Sequence, residues 1–126
     1  MIMSERSYEL HGVHLLECSP EGPKLGSDRD ALDLISAAWG HHAKFLVIPA
    51  ERLTDDFFQL KTRVAGEMIH RITLYKMRVA ITGDISRHLD ESSAFRDFVY
   101  EANRGNQVWF VASIEELEER LKSEQA

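Results

Sequence analysis

The chain has 126 residues, 44% hydrophobic and 29% charged, with 15 Lys+Arg against 21 Asp+Glu for a formal net charge of −6. That mix describes one α/β-sized globular domain, residues 1–126, able to bury a core without disulfide or metal staples. The negative charge argues against nucleic acid as a partner, and no apolar run approaches the roughly 20 residues of a membrane span.

The start, "MIMSERSYEL", is too quickly charged for a secretory leader, and the single cysteine, Cys18, fits a reducing, cytoplasmic setting. "RSYEL" and "VHLLEC" read as two strands joined by a tight turn at His11-Gly12. The stretch Ser19 to Asp30, punctuated by Pro20, Gly22, Pro23 and Gly26, reads as a loop. A first helix follows from Asp28 to Gly40, with Ser27 as N-cap and Leu32, Ile35, Ala38 and Trp39 at helical spacing. Ala43 to Pro49, "AKFLVIP", is a buried strand closed by proline.

The second helix is expected from Thr54, as N-cap before Asp55 and Asp56, to about Thr73. "MRVAITG", Met77 to Gly83, is the next strand, and "GDISRHLDESS" reads as a loop without a phosphate-binding pattern. A third helix starts near Ser92 or Ser93 and stops at Gly105, with Phe95, Phe98, Val99 and Ala102 inward. "QVWFVA", Gln107 to Ala112, is the last strand. Ser113 and Glu116 form a capping box for a fourth helix with Ile114, Leu117 and Leu121 inward.

The order β-β-α-β-α-β-α-β-α predicts an α/β fold, a mostly parallel sheet with an antiparallel first strand. Crossovers of one hand between neighbouring strands would put every helix on one face. Leu16, Leu46, Ile48, Ala80 and either Phe110 or Trp109 with Val111 would then need another cover. That cover could be a second copy or a protein partner.

On a helical wheel the second helix places Lys61 inside an arc of Phe57, Phe58, Val64, Ala65, Met68, Ile69 and Ile72. Lys61 would sit near the carboxyl ends of the strands, where open α/β sheets bind ligands. Three roles stand open: an ion pair with Asp84 or Glu51, a snorkelling side chain, or contact with a small anionic ligand or partner. Gly66, mid-helix, suggests close approach of another backbone, and Thr62 and Glu67 flank the arc. Arg96, Tyr100 and Asn103 share a second stripe of the third helix that suits an interface. No cysteine, histidine or carboxylate pattern completes a metal site, and no catalytic residue or cofactor motif stands out.

The stretches "DDFFQLKTRVAGEMIHR", "RVAITGDIS" and "FRDFVYEANRGNQVWFV" resemble an uncharacterised bacterial family, domain-of-unknown-function family 4180, over nearly the whole chain. That resemblance implies a fold and no reaction. The element order also resembles the STAS domains, which include anti-sigma-factor antagonists and the cytoplasmic tails of some anion transporters. In those antagonists a regulatory serine opens the helix after the third strand. The matching position here is Thr54, so the resemblance implies a weak phosphosite there, although the usual Asp-Ser pair is absent. The expectation is a non-enzymatic, STAS-like regulatory or protein-interaction module, with an anion-binding sensor or enzyme as the alternative.

Overall fold

A computed structural model describes residues 5–125. The hairpin β1 (Glu5–Leu10) and β2 (Val13–Cys18) is followed by α1 (Asp28–Gly40) and β3 (Phe45–Pro49). Three short 3-10 turns, Ala50–Arg52, Asp55–Phe58 and Leu60–Thr62, lead to α2 (Val64–Leu74). Then come β4 (Arg78–Thr82), α3 (Ser86–Glu91), α4 (Ser93–Arg104), β5 (Val108–Val111) and α5 (Ile114–Glu124). The fold is α/β. One sheet runs β1-β2-β3-β4-β5, antiparallel in its first pair and parallel elsewhere.

Local chemistry sets most of these boundaries. His11 (φ 48°) and Gly12 (φ 82°) make the two-residue turn that closes the hairpin at Leu10 and Val13. Ser27 and Ser92 cap α1 and α4 by accepting from the amides of Asp30 and Phe95, each at 3.1 Å. Ser113 caps α5 by accepting from Glu116 at 3.2 Å, while Glu116 reaches back to the amide of Ala112 at 2.9 Å.

Side-chain alternation splits the core into two layers. In register, Leu16, Leu46, Val79 and Val108 point one way, with Ile48, Ile81 and Phe110. This layer packs against Ala31, Leu34, Ile35 and Ala38 of α1, Ala65, Met68 and Ile72 of α2, and Phe95 and Val99 of α4. Trp39 is therefore not on the inner stripe of α1; it is 51% exposed, edge-on to Tyr75 at 5.3 Å.

Leu15, Phe45, Val47, Ala80, Trp109 and Val111 point the other way, and α5 covers them with Leu117 and Leu121. Helices thus lie on both faces. The sheet residues expected to need another chain are buried on two different sides: Leu16, Leu46, Ile48 and Phe110 beneath α1, α2 and α4, and Ala80, Trp109 and Val111 beneath α5. A last strand followed by only one helix leaves that helix free to cross to the bare face. Trp109 helps hold it there, the guanidinium groups of Arg120 and Arg78 lying 4.2 and 4.8 Å from its ring centroid. Arg78 also makes a two-point pair with Glu124 of α5.

Candidate functional site

The predicted second helix is not continuous. Gln59 is extended (φ −112°, ψ 102°), Arg63 is left-handed (φ 66°, ψ 5°), and the α-helix proper begins only at Val64. Packing explains the break. Phe57 and Phe58 are both buried, at 2% and 4% exposure, and a tight 3-10 turn seats these neighbours together in the core. Thr62 Oγ1 then donates to the carbonyls of Asp56 (2.6 Å) and Gln59 (2.8 Å), groups a longer helix would have used itself. Thr54 does not cap the turn with its side chain.

The broken segment forms one wall of a cleft of about 570 Å³. The opposite wall is α3, where the sequence predicts a loop, together with the start of α4. Asp84 starts that element: it follows Gly83 (φ 122°) and accepts from the amide of Ser86 at 2.9 Å and from the Ser86 hydroxyl. Those bonds hold the Asp84 carboxyl below its ordinary range. Because the two walls follow β3 and β4, the cleft lies at the carboxyl ends of these strands, the ligand position of open α/β sheets.

The cleft floor is aromatic. The His88 imidazole lies parallel to the Phe58 ring, with centroids 3.9 Å apart and planes 6° apart. Phe57 and Phe95 meet Phe58 edge-on at 5.3 and 5.6 Å. Burial, and secondly the nearby Arg87 charge, lower the His88 pKa, outweighing Glu91 and Asp55. Its ring is therefore neutral near pH 7. Lys61 and Arg87 bring positive charge to the lining, and Asp55 and Glu91 negative charge. Arg87 faces Asp55 at 3.9 Å, a loose and exposed pair.

Lys61 is exposed, so it neither snorkels from a buried arc nor pairs with Asp84; among the described residues no carboxylate lies within ion-pair distance of it. Glu51 does not pair with Lys61 either; its backbone carbonyl accepts from Lys24. Of the sequence candidates, only Lys61 lines this cleft.

The others are placed apart from it. Thr62 braces the turn, as described. Arg96 donates to the Leu89 carbonyl at 3.1 and 3.3 Å, tying α4 to α3. Tyr100 is 66% exposed, with Arg104 over its ring. Asn103 accepts from the Phe110 amide (2.7 Å) and donates to the Phe110 carbonyl (3.2 Å). Val111 and Gln107 carbonyls point to β4, so Phe110 points away from it, and Asn103 closes that open sheet edge. Glu67 lines a separate, shallower groove with Gly66, His70 and Phe98. Outside its own helix, no atom of the described residues lies within 4 Å of where a Gly66 Cβ would be, so no other segment of the described chain makes the expected close approach.

The Thr54 hydroxyl is buried without a hydrogen-bond partner, and a Cβ on Gly26 would lie only 2.4 Å from it. Cys18 is also buried, and burial pushes its thiol up to about 12, the state of an unreactive core residue.

Sequence reasoning missed Arg87, His88 and the Phe58 floor. The available signal was Asp84-Ile85-Ser86, an Asx start that made "SRHLDE" helical and turned His88 inward. It also missed Arg52, a buried guanidinium that donates to the carbonyls of Ser19, Glu21 and Pro23 and holds the Ser19 to Asp30 loop.

A family model described as "Domain of unknown function (DUF4180)" matches residues 10–121. No curated protein and no solved structure matches the chain.

Proposed function

We propose, from the premise that this chain belongs to the DUF4180 family, that it is a non-catalytic binding module taking a small anionic ligand at the carboxyl ends of β3 and β4. The observation that carries this reading is Lys61, a cation without an ion-pair partner among the described residues, on the wall of a ligand-sized cleft. The cleft presents groups suited to holding a molecule: the Lys61 ammonium, the Gln59 amide and the aromatic floor. Its serine, Ser92, is already engaged as the cap of α4. A regulatory module of STAS-like order, acting in the cytoplasm, could report ligand occupancy through such a site.

The test is a thermal-shift screen of small organic and inorganic anions, followed by titration of each hit against the Lys61→Met variant. A ligand present at 100 times its Kd should stabilise the wild type by about 2.7 kcal/mol. Lys61→Met should change the stability of the free protein by no more than about 0.5 kcal/mol, as expected of an exposed side chain, and abolish the ligand shift. Hits that bind the variant as tightly as the wild type would remove Lys61 from the site.

A second reading, docking of a protein partner, is favoured by a different feature. Trp39, Leu74 and Tyr75, 51%, 59% and 38% exposed, gather at the far ends of α1 and α2, on the rim opposite the cleft. A photo-crosslinker placed at Leu74 should trap one discrete partner in cells; only diffuse products would argue that the patch stays wet.

A further inference from the structure

The floor and the charges of the cleft together constrain what it can hold. Phe58 is 4% exposed and wedged edge-on by Phe57 and Phe95, so it cannot swing to meet a ligand. His88 covers the face of Phe58 and is itself only half-buried, leaving its remaining surface to the cleft it lines. A flat ring laid there would extend an existing parallel stack. Four charged side chains line the space: Lys61, Arg87, Asp55 and Glu91. Asp55 offsets the Arg87 charge at 3.9 Å, and Lys61 is the lining cation with no ion-pair partner among the described residues. Glu91 adds a second negative charge, which disfavours a dianion such as phosphate and suits a single carboxylate.

From this geometry we infer that the ligand is a planar aromatic monocarboxylate, its ring on the Phe58–His88 stack and its carboxylate on Lys61. The inference rests on the anion-binding reading above and narrows it to one chemical class. The ring contributes by stacking on His88, worth up to about tenfold in affinity, and by burying apolar surface over Leu60 and Ala94. The carboxylate contributes orientation through one charge-assisted hydrogen bond.

The experiment is an NMR titration of the isotope-labelled full chain with 1-naphthoate, acetate and inorganic phosphate. The expected result is saturable shifts of the amides of Phe58 to Lys61 and Arg87 to Ser92 with naphthoate, with a Kd at least about tenfold below that of acetate. Lys61→Met should weaken both carboxylates. His88→Leu should remove most of the naphthoate advantage, whereas His88→Phe, which keeps a flat ring, should retain it. If naphthoate and acetate bind the cleft equally, or phosphate binds tighter than either, the aromatic class is overturned while the anion site survives. If none of the three moves these amides, both readings fall.

Discussion

At the scale of single residues, the chemistry of His88 is set by its surroundings. Isolated, it would titrate near 6.5; over Phe58, burial lowers that value. The unfolded chain therefore takes the proton more readily than the folded one. The stabilisation from a neutral ring is complete above pH 6.5, is lost as pH falls below it, and stops changing below the folded-state value. Urea unfolding of wild type and His88→Phe at several pH values between about 7.5 and 5 isolates this contribution. The wild type should lose stability relative to the variant as pH drops. A gap that widens in its favour would mean the imidazolium is the stabilised form. Lys61 behaves in the opposite way: it carries its charge into water, outside the buried arc that one continuous helix over residues 54–73 would have given it.

At the scale of elements, the break before α2 is the feature that positions the cleft. Arg63 occupies the left-handed region at φ 66°, a conformation that costs an L-residue about 1–2 kcal/mol and glycine almost nothing. Arg63→Gly should therefore raise stability by about 0.5–1 kcal/mol in urea unfolding, part of the relief being offset by the looser unfolded chain. A loss would show that this segment prefers the continuous helix its periodicity suggests. Several boundaries were legible because they are local: Ser27, Ser92 and Ser113 cap helices by bonds within three residues of themselves. The break was not, because it depends on seating Phe58 against Phe95 and His88, more than 25 residues away in the chain. α3 is a different case: its partners Asp84 and Arg96 are local, but six residues are too few for a helical period to stand out.

At the scale of the whole molecule, the sheet is covered on both sides, and among the described residues α5 is the one helix on the second. Leu121 is 1% exposed and belongs to the layer with Trp109, Val111 and Leu117. Leu121→Ala should cost about 2–5 kcal/mol in urea unfolding. The same variant should populate self-associated species in light scattering, because loosening α5 bares Phe45, Val47 and Ala80. A variant that stays stable and monodisperse would show that α5 is dispensable for covering that face. The covered sheet also removes the reason for expecting a second copy there, and moves the case for a protein partner to Trp39, Leu74 and Tyr75.

Strand alternation, cap serines and the hairpin turn are written in short-range patterns, so the α/β class, the antiparallel opening and the parallel remainder could be read without coordinates. The same patterns placed Lys61 at the rim where strands end, which is where it lies. Which face α5 takes, where the second helix breaks, and that His88 rather than Asp84 becomes the neighbour of Lys61 in the cleft are outcomes of packing between distant segments. A period of 3.6 or 2 residues fixes what a segment buries; it carries no record of the side chains it will be buried against.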